Sequence, residues 1–174
     1  MIVDGRAIAK DVLETVATDV AQLEAAPRLS IVTCTPDLPT QKYLALKKRK
    51  AEEVGMRVNV IELLDACDTD GVIKTVQVAT EQSDGIIVQL PLPTTIDTDK
   101  VLASIPTTHD VDAVHYDGES GILPPVVGAV AEIAARHDVA HQKLYALWRI
   151  NVDAGNASCV YGVTVPLILV ACVH

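Results

Sequence analysis

Aromatic side chains are scarce in this sequence. They make up 3% of its 174 residues, and phenylalanine is absent. Because hydrophobic residues still account for 49% of the chain, we expect a core built mostly of valine, isoleucine, leucine and alanine. A chain of this length suits one full domain, or one domain and part of another.

Basic residues are few as well, since 14 lysines and arginines stand against 23 acidic residues, for a formal net charge of −9. No long basic stripe is present, which argues against a nucleic-acid-binding protein. The exception is a basic cluster at 47–50, preceded by Lys42. Such a positive island indicates an anionic partner. A solvated helix face, balanced by Glu52 and Glu53, explains the cluster as well.

The cysteines and the chain ends favour a cytoplasmic protein. The cysteines are far apart and form no CxxC or His/Cys metal spacing, so we expect free thiols and no metal site. The N-terminus has no apolar run of signal-peptide length. The uncharged stretch 154–174 is interrupted by glycine, asparagine and proline, so we expect no membrane span there. The cysteines are Cys34, Cys67, Cys159 and Cys172.

Hydrophobic spacing predicts helices alternating with short strands. That order is typical of an α/β fold in which helices cover both faces of a parallel sheet. From about residue 139 the pattern changes, and 143–152 is predicted as a strand. The expected helices cover 4–24, 40–55 with Thr40 as the cap, 68–82, 96–105 and 126–137, and the expected strands cover 28–34, 57–64 and 84–92.

Polar side chains that could bind a ligand or take part in catalysis follow the ends of the predicted strands. Tyr43 and Lys47 lie one helical turn apart after the first strand, and Gln89 ends the third. Asp110 and Asp112 follow the next helix. Parallel sheets bind ligands beyond the carboxyl ends of their strands, so we expect these five side chains to converge on one cleft.

More than one explanation is open for most of these residues. Neighbouring ammonium groups favour loss of a proton from Lys47, but the lysine also suits a solvated face. Gln89 is either a polar cap or an acceptor for a lysine. In an extended segment, Asp110 and Asp112 would point the same way, which allows a metal site. One buried carboxylate binding the NH groups of a polar heterocycle is the alternative that we prefer.

Four stretches together resemble the FolD-type bifunctional methylenetetrahydrofolate dehydrogenase/methenyltetrahydrofolate cyclohydrolase family. They are DGRAIA, TQKYLALKKRKAEEVG, GIIVQLPLP and KVLASIPTTHDVD. Tyr-x-x-x-Lys, Gln-Leu-Pro-Leu-Pro and Asp-Val-Asp, in that order, form a specific combination. The resemblance implies a folate-binding catalytic domain at 1–140. It implies that 141–174 is a divergent or truncated start of a Rossmann domain for NADP.

The resemblance also implies a role for each site residue. Lys47 is expected to handle protons in the cyclohydrolase step, and Tyr43 to stack over the folate ring. Gln89 is expected to orient Lys47 and keep it neutral, and Asp112 to anchor the pterin. The expected substrate-binding set is Tyr43, Gln89, Leu90, Pro91 and Asp112.

The sequence departs from the family pattern at several places. Ala113 stands where a glycine usually follows Asp-Val-Asp, and LPPVVG at 123–128 replaces Pro-Cys-Thr-Pro. The arginine-containing loop that cradles the NADP phosphates is absent as such. Its nearest trace, at 156–162, keeps Ser158 and Gly162, which are the expected cofactor-binding residues.

Two functions remain in view at this point. The first is an enzyme of folate one-carbon metabolism, typically a homodimer, with the cyclohydrolase half better supported than the NADP-dependent dehydrogenase half. The second is a non-catalytic remnant that binds folate or dimerises. An unrelated nucleotide binder would need a glycine-rich loop after the first strand, and TPDLPT contains no glycine.

Overall fold

The computed structural model describes residues 3–63, 67–116 and 122–137. Within these ranges the predicted alternation of helices and strands is confirmed. The elements are α1 (Gly5–Ala21), β1 (Arg28–Cys34), α2 (Leu38–Glu53), β2 (Arg57–Leu63), α3 (Thr69–Gln82), β3 (Gly85–Val88), α4 (Thr98–Ala103) and α5 (Pro125–Arg136).

The three described strands form one parallel sheet in the order β2-β1-β3. β1 is therefore central and pairs along its whole length with β2, from Arg28 opposite Arg57 to Cys34 opposite Leu63. β3 is shorter than the predicted strand 84–92. Its pairing ends soon after Val88 because the prolines that follow cannot donate to the ladder.

Alternate residues of the strands face opposite layers of helices, which gives the predicted three-layer arrangement. On one face, Val32 and Ile86 pack with α3 and with Val101 of α4. On the other face, Ile31 and Ile87 pack with Leu44 of α2. The side-chain period of two along a strand therefore explains why β1 and β3 are buried on both sides.

Helix α2, which carries the tyrosine and lysine of interest, begins earlier than the sequence predicted. Its N-cap is Asp37, whose carboxylate accepts a hydrogen bond from the Thr40 backbone N at 2.9 Å. The prediction that Thr40 caps the helix was therefore wrong. Asp37 satisfies one of the otherwise unpaired N–H groups, and Pro39 in the first turn has no N–H that needs a partner.

Gly55 ends α2, as predicted from the sequence. Its φ of 90° is a left-handed value that L side chains rarely adopt. The Gly55 N donates to the Glu52 O at 3.0 Å, and the Met56 N donates to the Ala51 O at 2.9 Å. This pair of hydrogen bonds is a Schellman motif, which satisfies carbonyl groups at the end of the helix.

The chain divides into two compact units, one from Met1–Thr15 and Leu123–His174 and one from Val16–Ile122. In the first unit, Arg136 of α5 donates to Asp11 of α1 at 2.7 Å and to Glu132 at 2.7 Å. The second unit contains the sheet with α2, α3 and α4. The predicted boundary at residue 140 stays a prediction, and the predicted strand 143–152 lies outside the described residues.

Within the described ranges, no helix has the combination of length and hydrophobicity that a membrane span requires.

Two glycine-to-alanine substitutions test these backbone conformations, and we expect them to change the free energy of unfolding in opposite directions. Gly55→Ala should lower the free energy of unfolding by roughly 1–2 kcal/mol, because an L residue is strained at this φ. Its Cβ would also lie 3.2 Å from Val20 Cγ1. Gly128→Ala, within α5, should raise stability by roughly 0.5–1 kcal/mol. Its Cβ would have no neighbour nearer than 3.8 Å. Urea unfolding measures both, and a shift in the same direction for the two variants would contradict this assignment.

Candidate functional site

Lys47 of α2 and Gln89, just beyond β3, meet although 42 residues separate them in sequence. The Lys47 Nζ donates a hydrogen bond to the Gln89 Oε1 at 3.3 Å. Both side chains are partly buried. The Gln89 backbone N donates to the Val32 O at 2.8 Å, so the central strand holds this residue beside its own end. The structure thus brings together two of the residues expected to converge.

Tyr43 lies on the other side of the lysine. The Lys47 Nζ is 4.7 Å from the centroid of the Tyr43 ring, within the range of a cation–π contact. The spacing of four residues on α2 places the two side chains on one helix face, as predicted. The amine therefore lies between an aromatic ring and a carboxamide.

The direction of the Gln89 carboxamide is set by its own neighbour. The Gln89 Nε2 donates to the Leu90 O at 2.8 Å. With the NH2 group used there, the oxygen is the atom left to accept from Lys47. Leu90 and Pro91, the other expected substrate contacts, are exposed directly after Gln89.

Burial and opposite charge act against each other on Lys47 and Asp112. Burial lowers the pKa of the Lys47 amine, and the charge of Asp112 partly opposes that change. Burial raises the pKa of the Asp112 carboxyl, Lys47 opposes the rise, and Asp110 adds to it. Each group of the pair thus favours the charged form of the other, while burial favours the neutral forms.

The rest of the basic cluster has the simpler explanation. Its three other members form ion pairs with glutamates of α2. Lys48 and Arg49 are exposed, so the interpretation as a solvated helix face is correct for them, whereas only 18% of the Lys50 side chain is exposed. Burial is the main cause of the lowered Lys47 pKa, so the interpretation that neighbouring ammonium groups cause it was wrong. The pairs are Lys48–Glu52 at 3.9 Å, Arg49–Glu53 at 3.6 Å and Lys50–Glu53 at 2.7 Å.

The loop with Asp110 and Asp112 is a tight turn, so the expectation for an extended segment does not apply. Asp110 is buried and accepts hydrogen bonds from the backbone N of Val114 at 3.0 Å and of His115 at 2.9 Å. Ala113 has a φ of 53°, in the left-handed region. That conformation explains why a glycine suits this position of the family pattern.

The sequence did not identify Asp110 as the residue that closes this turn. The available signal was the preference of aspartate for bonding backbone N–H groups a few residues further on.

The histidines of this loop are engaged locally. The His115 Nε2 hydrogen-bonds with the Ile105 O at 3.0 Å, and the His109 Nδ1 with the Thr108 Oγ1 at 2.9 Å. In the part of the chain that the structure describes, no group of three His, Cys, Asp or Glu residues could hold a metal ion. The expected cofactor residues, Ser158 and Gly162, lie outside that part.

Comparison with known proteins extends the resemblance. A profile of the family described as "Tetrahydrofolate dehydrogenase/cyclohydrolase, catalytic domain" matches residues 3–112. The Bifunctional protein FolD of Rhodospirillum rubrum is 36% identical over 140 residues, which cover 71% of this chain and 47% of that protein. The FolD protein of Sulfurovum sp. is 34% identical over 167 residues, which cover 92% and 58% respectively. The chain thus spans about half the length of these relatives.

Solved structures agree with the sequence matches. The FolD dehydrogenase/cyclohydrolase of Campylobacter jejuni has a TM-score of 0.74 at 25% identity, covering 78% of this chain and 53% of that one. The Trypanosoma brucei enzyme, complexed with NADP cofactor and inhibitor, has a TM-score of 0.72 at 29% identity. The match covers 80% of this chain and 52% of that one.

The electrostatic pairing in the site makes a prediction that needs no substrate. Asp112→Asn should lower the pKa of the Lys47 amine further, because it removes the charge that opposes the effect of burial. A ¹³C NMR titration of the lysine side chain would measure the shift. Asp99→Asn, an exposed position on α4, is the control and should leave the Lys47 pKa unchanged. An unchanged Lys47 pKa in Asp112→Asn would contradict the pairing.

Proposed function

The chain belongs to the tetrahydrofolate dehydrogenase/cyclohydrolase family, and we propose that it works in one-carbon folate metabolism as a methenyltetrahydrofolate cyclohydrolase. The observation that carries this proposal is the partly buried Lys47, with a lowered pKa, held between Tyr43 and Gln89. A lysine becomes a general base near neutral pH only when its ammonium form is disfavoured, and burial provides that here.

Hydrolysis would begin with water adding to the cationic methenyl carbon. Neutral Lys47 accepts a proton from that water, which leaves an uncharged carbinolamine. One carbon–nitrogen bond then breaks, the departing nitrogen takes a proton from the lysine, and the hydroxyl proton is released as the formyl C=O forms. The lysine ends neutral, and one proton leaves overall, as conversion of a cation to a neutral amide requires.

The surrounding residues would bind and orient the substrate. Tyr43 offers an aromatic face to the folate ring, and exposed Leu90 and Pro91 add apolar contact beside it. Gln89 would fix the direction of the Lys47 amine. A carboxamide oxygen accepts from an amine in either charge state, so burial, rather than Gln89, would keep the lysine neutral.

Asp112 would anchor the pterin. A carboxylate presents two oxygens, which suit the adjacent N–H donors of such a heterocycle. Burial raises the pKa of Asp112, and the charge of Lys47 favours its ionised form. The N–H donors of a bound pterin would also favour the ionised form of Asp112.

The dehydrogenase half, oxidation of methylene- to methenyl-tetrahydrofolate, would need NADP as hydride acceptor. The loop between β1 and α2, at residues 35–37, has no glycine, so this loop does not offer the phosphate cradle that a dinucleotide needs. Ser158 and Gly162 remain the proposed contacts, and they lie beyond the described residues. Every step proposed for the described residues belongs to hydrolysis.

We further propose that the chain forms homodimers in the cytoplasm, without nucleic-acid or membrane partners. Cys34 and Cys67 are free thiols, which suits a reducing compartment. The second candidate function is a non-catalytic remnant that keeps the folate groove or a dimer surface. It is favoured by the departures from the family pattern at Ala113 and at 123–128.

Lys47→Met separates the two functions. Loss of a general base should slow methenyl-tetrahydrofolate decay by on the order of 10²–10⁴-fold at neutral pH. In the wild type, the rate should rise with pH through the Lys47 pKa and level off above it, because only the neutral amine accepts a proton. Decay of the methenyl absorbance band measures both effects.

The matched control is Lys48→Met, which removes the neighbouring exposed lysine and its ion pair with Glu52. It should keep the wild-type rate. A wild-type rate no faster than in buffer, or equal rates in wild type and Lys47→Met, would leave the non-catalytic alternative. Repeating the assay from methylene-tetrahydrofolate with NADP tests the dehydrogenase half separately.

A further inference from the structure

The loop that carries Asp112 is bonded to β3 near its start, and its His115 is bonded back to Ile105, just after the end of α4. The Ile86 N of β3 donates to the His109 O at 2.8 Å, and Ile86 and Asp110 form an isolated parallel bridge. Five residues after Asp110, the His115 side chain hydrogen-bonds with the Ile105 O. Between these two anchors, the backbone conformation around Asp112 depends on contacts within the loop itself.

The Asp110 carboxylate sets that path. Its Oδ1 accepts from the Val114 N and its Oδ2 from the His115 N, so the two bonds close a ring of chain around Asp112 and Ala113. Only 6% of Asp110 is exposed. A buried carboxylate is costly unless its oxygens are hydrogen-bonded, and here both are.

The backbone inside this ring would not hold its conformation unaided. The φ of Ala113 is 53°, in the left-handed region, which is unfavourable for an L residue. Gly85, at the start of β3, allows Val111 to pack closely, since a Cβ on Gly85 would lie 2.7 Å from Val111 Cγ1. The strained residue directly follows Asp112, so its conformation helps decide where the Asp112 carboxylate lies.

We propose that Asp110 is a positioning residue, whose bonds to the Val114 and His115 backbone keep Asp112 within electrostatic reach of Lys47. The proposal rests on the proposed function, in that it treats Lys47 and Asp112 as the working pair of the site. Lys47 from α2 and Asp110 from the same loop are the charged groups that act on Asp112 in the described ranges.

Asp110 differs from the helix-capping aspartates of the same chain. Asp4, Asp37 and Asp68 are exposed, and each accepts backbone N–H groups through its Oδ1 alone. Asp110 is buried and uses both oxygens on consecutive backbone N–H groups. A cap ends a helix, whereas these two bonds fix the turn in which Asp112 lies.

A double-mutant cycle in the whole chain tests the proposal, with the Lys47 pKa from ¹³C NMR as the readout. The shift caused by Asp112→Asn is measured once with Asp110 present and once in an Asp110→Asn background. Asparagine keeps one acceptor oxygen but turns an NH2 group toward the second backbone N–H, so at most one bond survives. The shift should fall to roughly half or less, because the Coulomb interaction between two charged groups weakens as the distance between them grows. An undiminished shift would overturn the proposal.

Asp110→Glu distinguishes the effect of the position of the Asp110 carboxylate from the effect of its charge. It also replaces Asp110→Asn in the cycle if that variant does not fold. It keeps the negative charge but moves it by one methylene, so both bonds cannot form in the same geometry. The coupling between Lys47 and Asp112 should weaken here too. Full coupling in the glutamate variant would mean that charge, rather than position, matters, and would overturn the proposal.

Asp68→Asn is the matched control, because it weakens a comparable carboxylate-to-backbone bond, to the Gly71 N at 2.8 Å. It should leave the coupling intact. A loss of coupling in this control would mean general loosening of the chain and would count against Asp110. Hydrolysis is assayed separately, so an inactive wild type would refute the proposed function while the cycle still decides the role of Asp110.

Discussion

The removal of one lysine amine from water is the constraint on which the site depends. Burial disfavours the ammonium form of Lys47, and the Asp112 charge favours it, so the protonation of the amine is set by a balance. Tyr43 and Gln89 define where the amine lies within that balance. A fully solvated lysine would remain protonated at neutral pH and could not act as a base.

The sheet provides the rigid frame for this balance. β1 is central, and its pairing with β3 continues into the hydrogen bond between the Gln89 N and the Val32 O. The Asp37 cap and the Gly55 turn set the two ends of α2, and the packing of Leu44 against Ile31 and Ile87 sets which face of the helix meets the sheet. The ends of α2 and the pairing of the sheet together determine where the Lys47 amine lies relative to Gln89.

The sequence predicted which residues meet, but not how they are held. Helical spacing and the parallel-sheet rule were enough to place Lys47 beside Gln89. They could not decide between Asp37 and Thr40 as the cap, because both residue types accept backbone bonds. The Lys47 pKa is lowered mainly by burial, which the sequence does not reveal because burial depends on how the helices and the sheet pack together. The turn at Ala113 depends in part on the bonds of Asp110 to nearby backbone, which aspartate favours, and in part on the anchor of His109 to β3, which has no short-range signal.

Gly85 has a wider consequence for how this protein can vary. The close approach of Val111 to the start of β3 leaves no room for a methyl group there. The sheet strand and the acidic loop therefore cannot drift independently during evolution. A substitution at the first residue of β3 would have to be accompanied by a smaller or shifted neighbour in the loop, so we expect these two positions to change together among descendants of this sequence.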